Sequence, residues 1–313
     1  MTTDNAIIVT NKTRLELLIE RFNTKAQARF YIEHSGGSFE AYQQEHDCFY
    51  KSLEKIQSIT SQNLKFKVID RSFLSNFIFG ENDSIVIVGQ DGLVANTAKY
   101  ARGLPMLPVN PDPIRNDGVL LPYNSDNFEN GLLKFLSHKH NFKQVTMAEA
   151  TLNNGQKIQA FNDLFIGPST HTSARYELWY KKQAEVQSSS GIIVSTGAGS
   201  TGWLGSVFNM ANGINRTFDN SGHDMEMQME WGDDHLVYVV REPFKSRHSN
   251  IQLSAGIIPK GEALKIESHM PMNGKIFSDG LENDYLAFNA GAIAEIGIAN
   301  EKANIVFTDD LIM

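Results

Sequence analysis

Ser84-Ile85-Val86-Ile87-Val88-Gly89-Gln90-Asp91-Gly92 is the stretch that decides how this chain folds. Four β-branched apolar residues behind Ser84 make a short strand buried on both faces. Two glycines bracket one carboxylate where that strand ends. Behind them, Leu93–Ala101 carries the apolar spacing of a helix. A strand, a glycine turn and a helix start together form an anion site, because free backbone N–H groups and the helix dipole point the same way. An aspartate there repels a bare phosphate. It fits the turn if it takes a proton from a hydroxyl or holds a metal, a combination that points to phosphoryl transfer.

Working outward, the first part of the chain alternates. Ala6–Thr10, Leu64–Ile69 and Ser84–Val88 are strand candidates; Thr13–Phe22 and Phe39–Ile59 have helical spacing. Strands alternating with helices predict a parallel, doubly wound sheet, in which ligands bind at the carboxyl ends of strands. Asp91 is in that position. Near Pro105 the character changes: Pro105, Pro108, Pro111, Pro113 and Pro122 mark a boundary or a long ordered loop. After a helical segment around Phe128–His138, short strands follow at Val145–Glu149, Lys157–Phe161, Tyr176–Tyr180, Ile192–Ser195, His235–Val240, Ile251–Leu253, Leu264–Glu267 and Lys275–Ser278. Turn residues separate most of them, which predicts a largely β, sandwich-like second domain. The expected division is an α/β nucleotide-binding domain over residues 1–122 and a β-rich domain over 123–289. The strands near Ala292–Ile298 and Ile305–Phe307 belong to either.

With 313 residues, two domains are the natural expectation. A net charge of -8 argues against a nucleic-acid partner, which calls for a basic face. It leaves room for a nucleotide substrate held by local dipoles and Mg²⁺. The single Cys48 excludes an intramolecular disulfide and any multi-cysteine metal site. It lies in the helically spaced Tyr42–Ile56, where a packed thiol is expected, and accords with a reducing cytoplasm as the expected location. Ala6–Val9 is too short an apolar segment for a secretion signal, and no apolar stretch approaches the length of a membrane span. The nine histidines show no metal spacing, so no metal held by the protein is expected.

Two further constellations carry chemistry. Ser195-Thr196-Gly197-Ala198-Gly199-Ser200-Thr201-Gly202-Trp203 follows the strand Ile192–Val194 and precedes the helix-like Leu204–Met210. Its glycines let a ligand approach the backbone, and its hydroxyls can bond phosphate, ribose or an adenine amine; the bland reading is a flexible polar loop. Asn162-Asp163 stands before Leu164-Phe165-Ile166 and can grip vicinal ribose hydroxyls, although an adjacent Asn and Asp more commonly make a turn or cap. Asp279-Gly280 has the look of a hairpin turn and is read as structural. Arg241, Lys245 and Arg247 are read as a solvated loop, and Tyr176, Trp179 and Tyr180 as strand packing.

Gly89-Gln90-Asp91-Gly92, Asn162-Asp163 and Gly199-Ser200-Thr201, in this order, resemble the three motifs of the NAD kinase family: Gly-Gly-Asp-Gly, Asn-Glu and a Thr-Gly-Ser-Thr-rich loop. The resemblance is to its mitochondrial, eukaryotic-type branch, through Val109–Pro113 with Gly118, Phe165-Ile166-Gly167, Ser189-Ser190-Gly191, the Thr196–Trp203 loop and Arg241-Glu242-Pro243. It implies an α/β domain followed by a β-sandwich-like domain, with a chain end from about residue 290 that returns to the first. It implies ATP-dependent phosphorylation of NAD at the adenosine ribose 2′-hydroxyl, with Mg²⁺ accompanying ATP, and a homodimer or larger homo-oligomer. By the same resemblance Asp91 is the general base, and Gly89, Gln90 and Gly92 form the phosphate turn. Asn162 and Asp163 hold NAD, and Ser200, Thr201 and Ser206 line the adenine and ribose pocket.

Three positions depart from the family pattern. Gln90 replaces the second glycine and brings a side chain to the phosphate turn. Asp163 replaces glutamate and is one methylene shorter. Leu93 replaces the usual threonine. Two other readings therefore stay open: a non-catalytic dinucleotide-binding protein in which Gln90 closes the turn, and a kinase with a different hydroxyl acceptor, since lipid kinases share a related turn.

Overall fold

The computed structural model describes residue 3, residues 5–218 and residues 224–307. They form two compact units: the described residues up to Lys143 with those from Asn304 onward, and Gln144–Ala303.

The first unit runs β1 (Asn5–Thr10), α1 (Arg14–Phe22), α2 (Lys25–His34), α3 (Phe39–Asn63), β2 (Lys65–Asp70), β3 (Asp83–Val88), α4 (Asp91–Ala101), β4 (Pro105–Asn110), β5 (Tyr123–Asn124), α5 (Phe128–Leu136) and β6 (Asn141–Val145). The second runs β7 (Ala148–Leu152), β8 (Lys157–Ala160), β9 (Asp163–Pro168), β10 (Ala174–Tyr180), β11 (Gln183–Ser189), β12 (Ile192–Ser195), α6 (Gly205–Phe218), β13 (His235–Val240), β14 (Ala255–Pro259), β15 (Leu264–Ser268), β16 (Gly274–Ser278), β17 (Tyr285–Ala287) and β18 (Ile293–Ile298). The last strand, β19 (Ala303–Phe307), pairs in the sheet of the first unit.

That first sheet has the order β2-β1-β3-β4-β19-β6, with β5 beside β4. β2, β1, β3, β4 and β19 pair in parallel, as does β5 with β4. Ala6 and Ile8 of β1, Val86 and Val88 of β3 and Leu107 and Val109 of β4 share one buried cluster with Phe49, Leu53 and Ile56 of α3 and Phe128 and Leu132 of α5. Alternation turns Ile85 and Ile87 to the other face. α1 starts at Thr13 with a capping box: the Thr13 hydroxyl accepts from the Glu16 amide and the Glu16 carboxylate accepts from the Thr13 amide.

The proline-rich span near Pro105 is not a loop throughout: Pro105–Asn110 is the buried strand β4. The Val109 carbonyl accepts from the Gly89 amide, so Val109 addresses β3 and Pro108 addresses the opposite side. On that side β19 pairs with Pro105 and Met106, and β5 pairs with Val109 and Asn110. Pro108 falls between the two partners, where a missing N–H leaves no ladder bond broken.

The second unit holds two six-stranded sheets, β11-β10-β15-β18-β7-β8 and β14-β13-β12-β9-β16-β17. Their inner faces share one core, in which Tyr176, Leu178, Ile266 and Ile296 of the first meet Leu164, Ile166, Val194 and Tyr238 of the second. Ile251–Leu253 is not a strand. The amides of Gln252 and Leu253 instead donate to the Glu185 carboxylate, which removes them from any ladder. Among the described residues no helix is long and apolar enough to cross a membrane.

Candidate functional site

In the first unit, the buried β3 ends at Val88 and Gly89 makes the turn. A Cβ at Gly89 would lie 2.7 Å from the Leu93 side chain and 3.1 Å from Asn11 Oδ1, so any larger residue would have to push both side chains aside where α4 leaves its strand. The helix begins at Asp91 itself, two residues before the apolar spacing marks it. Gln90 is its N-cap but makes no side-chain capping bond. The first-turn amides of a helix lack intrahelical partners, and a Cβ at Gly92 would meet no protein atom within 4 Å.

The Asp91 carboxylate is held from a distant part of the chain. Oδ1 accepts from the Leu120 amide at 2.9 Å and Oδ2 from the Val119 amide at 3.2 Å. A carboxylate has about four acceptor sites, so these bonds fix its orientation and leave capacity for a ligand hydroxyl. The loop that brings the two amides is built on Asn110, whose side chain donates to the Asn116 carbonyl at 3.0 Å and accepts from the Asp112 amide at 3.1 Å. Asp112 also pairs with Arg115. The exposed Gln90 turns its side-chain amide to Asn116 Oδ1 at 3.4 Å.

In the second unit, three strand ends meet. Asp163 opens β9, opposite Ser195 at the end of β12. On its other side lies the turn after β16, where the Asp279 amide donates to the Asp163 carbonyl at 3.1 Å. The Thr196 hydroxyl donates to the carbonyls of Phe161 and Asn162, at 2.6 and 3.1 Å. The hydroxyl-rich loop then passes so close that a Cβ at Gly199 would lie 2.2 Å from the Asn162 carbonyl oxygen. Asn162 and Asp163 thus sit under the loop that starts at Thr196.

That loop continues as an irregular helical turn, Ser200–Leu204, kinked at Gly202 where it enters α6. Trp203 stacks on Phe165 of β9 with ring centroids 5.5 Å apart and planes 12° apart, and the Arg241 guanidinium lies 5.3 Å from the Trp203 ring centre. Glycines make room for this anchor: a Cβ at Gly167 or Gly191 would lie 2.7 Å from the Phe165 ring. Ser200 and Thr201 line a cleft of about 710 Å³ with Phe208, Asn209, Asn212 and Met227, a volume within the range of small-molecule sites. Ser206 is not among its lining residues; its hydroxyl donates to the Gly202 carbonyl.

No protein-family model matches this sequence, and no curated protein matches it. Solved structures do. The yeast NADH kinase complexed with NADH superposes with a TM-score of 0.59 over 99% of this chain and 85% of its own, at 14% identity. An NAD kinase from Archaeoglobus fulgidus in complex with ATP gives 0.54 over 98% and 94%, also at 14% identity. This is the fold of NAD and NADH kinases. Within it, Gly89–Gly92 are together in the first unit, and Asn162, Asp163, Ser200 and Thr201 are in the second.

One residue of the second unit was read from sequence as purely structural. Asp279 does occupy a turn: its φ is 52° and that of Gly280 is 71°, and the Leu281 amide closes onto Ser278 at 3.0 Å. Its carboxylate also accepts from the amides of Phe161, Asn162 and Asp163, at 3.0, 2.7 and 3.3 Å. Burial and then the Asp279 charge push the Asp163 carboxyl up to about 7. The local Asp-Gly signal was visible; its partners, more than a hundred residues earlier, were not.

Proposed function

We propose that this chain is an ATP-dependent NAD kinase of the mitochondrial, eukaryotic-type branch, forming NADP and ADP. The observation that carries the reading is the Asp91 carboxylate, fixed at the first turn of α4 by the Val119 and Leu120 amides, in a chain with the fold of NAD and NADH kinases. The motif resemblance supports the branch. In the step proposed, the adenosine ribose 2′-oxygen bonds the γ-phosphorus of ATP as the β–γ bridging bond breaks, and the hydroxyl proton passes to Asp91. Such a reaction needs positioning and charge neutralisation more than covalent help from the protein. First-turn amides of α4 at Gly92 face the phosphates, with Gly89 keeping that turn tight. Gln90, turned to Asn116, borders the phosphates without filling their path. Asn162 and Asp163 bond ribose hydroxyls, and Ser200 and Thr201 line the cleft for adenine and ribose, with Ser206 behind them.

Among the described residues no group of three His, Cys, Asp or Glu side chains could cage a metal ion. A single carboxylate at the turn, Asp91, suits an ion carried in on phosphate oxygens and water, the usual Mg²⁺ arrangement. Bound with ATP, Mg²⁺ supplies charge neutralisation.

The test is a coupled assay for NADP with ATP and Mg²⁺, run on the wild type and on Gln90→Gly. Product from both is expected. Measurable NAD binding with no product from either would replace the kinase reading with a non-catalytic dinucleotide-binding protein.

A further inference from the structure

Asp279 does more than its turn requires. Three backbone amides converge on one carboxylate, and they belong to the three consecutive residues that lead into β9. The clamp closes from both sides, since the Asp279 amide donates back to the Asp163 carbonyl at 3.1 Å. Opposite it, Thr196 holds the carbonyls of Phe161 and Asn162. The backbone of the Asn162–Asp163 pair is therefore tied at each peptide, donors to Asp279 and acceptors to Thr196. A turn alone needs only the Leu281-to-Ser278 bond and the positive φ values of Asp279 and Gly280.

The arrangement also brings the Asp279 carboxylate up to Asp163, whose backbone amide donates to it at 3.3 Å. Opposite Asp163, β12 presents Ser195; on the other flank, β16 and its turn present Ser278 and Asp279. Of these only Asp279 carries a titratable side chain, and it is the charge that acts on Asp163. A carboxyl beside a like charge holds its proton to higher pH, and the proton decides its chemistry: neutral, it donates one hydrogen bond; ionised, it only accepts.

We propose that Asp279 is a positioning residue for the dinucleotide end of the site: it fixes the Phe161–Asp163 backbone and its charge, added to the burial of Asp163, helps set whether Asp163 meets a ligand as donor or acceptor. The ligand is a vicinal diol whose hydroxyls donate, such as a ribose. The inference rests on the NAD reading for the ligand only. Ionised Asp163 bonds a diol better than neutral Asp163, because charge-assisted bonds are the stronger ones. Affinity for NAD therefore rises with pH, about tenfold per unit well below the midpoint of Asp163 and level above it.

The experiment is a ¹³C-carboxyl NMR titration of ligand-free protein, wild type and Asp279→Asn, with NAD affinity measured calorimetrically over the same pH range. In the wild type a midpoint near 7 is expected for Asp163. In Asp279→Asn the midpoint drops towards the ordinary carboxylate range, with burial keeping it above that range, and the step in NAD affinity drops with it. A folded Asp279→Asn protein with an unmoved midpoint overturns the proposal. If Asp279→Asn does not fold, Asp163→Asn decides in its place: loss of the pH step in NAD affinity, with the amide resonances of residues 161–163 retained, supports the proposal, and a persisting step overturns it. Should NAD fail to bind, the NAD reading falls; a wild-type midpoint in the ordinary carboxylate range then overturns the inference, and one near 7 that drops in Asp279→Asn upholds the clamp.

Discussion

Replacing Asp91 with asparagine separates a catalytic carboxylate from a structural one. In the wild type each carboxylate oxygen accepts one backbone N–H, at 2.9 Å from Leu120 and 3.2 Å from Val119. The asparagine side chain keeps one acceptor oxygen and turns an NH₂ toward the other amide, donor against donor. One bond is lost and the survivor loses its charge assistance, a cost of about 1–3 kcal/mol in unfolding free energy. The chemical cost is larger. A positioned base contributes about 10²–10⁴-fold, or about 3–5 kcal/mol of barrier. Single-turnover NADP formation should fall by that factor, while the Kd for NAD changes by less than about tenfold, because Asn162 and Asp163 keep their own ties to Thr196 and Asp279. Urea unfolding checks the first figure, rapid-quench kinetics the second and calorimetric titration the third. Near-normal turnover in a folded variant would remove Asp91 from the role of base. A loss of turnover no larger than the loss of folded protein would reduce it to a loop anchor.

Two glycine-to-alanine changes should part stability from binding. Gly199→Ala places a methyl 2.2 Å from the Asn162 carbonyl oxygen, and should lower urea stability by about 1–3 kcal/mol and raise KM for NAD. Gly92→Ala meets no protein atom within 4 Å, so its melting temperature should stay at the wild-type value while KM for ATP rises; an unchanged KM would show that phosphate does not approach this turn. The pH dependence of folding carries a sign. The Asp163 carboxyl holds its proton to about 7 in the folded chain and to about 3.9 unfolded, so between those values the native state binds more protons. Its contribution is fully present below about pH 4 and shrinks as pH rises towards 7, by up to about 4 kcal/mol for three units. The unfolding free energy of wild type minus Asp163→Asn, measured from pH 4 to 8, should fall across that window; a flat difference refutes the shift.

The parts of the fold that were legible share a cause. β3 and α4 are visible because a β-branched run stops at glycine and helical spacing resumes at once. β13 and β12 show likewise as short apolar runs. β11 was hidden because its pattern is inverted: Glu185, Gln187 and Ser189 are buried while Val186 is exposed. They are satisfied by a network no local rule shows, in which the Tyr176 hydroxyl bonds Gln187 and Ser189, and Gln187 bonds Glu185 and the Leu253 carbonyl. α2 buries only Ala28 and Ile32, too narrow a stripe for its period to register. β4 was masked by its two prolines: Pro105 opens the strand, and Pro108 falls in the gap between β19 and β5.

The candidate site divides in the same way. Sequence by itself determined which side chains stand at the ends of strands: a carboxylate between glycines at Asp91, an amide–carboxylate pair at Asn162-Asp163, and hydroxyls after β12. Those are local facts, set by burial of apolar runs and by the turns glycine permits. Tertiary structure decided what holds them. Asp91 takes its amides from 28 and 29 residues onward, and the Asn162–Asp163 backbone takes its clamp from Asp279, 116 to 118 residues away along the chain. Hydrogen bonds and like-charge repulsion act over a few ångströms in space; the loop built on Asn110 brings Val119 and Leu120 within that reach of Asp91, and the pairing of β9 with β16 brings Asp279 within reach of Asn162 and Asp163.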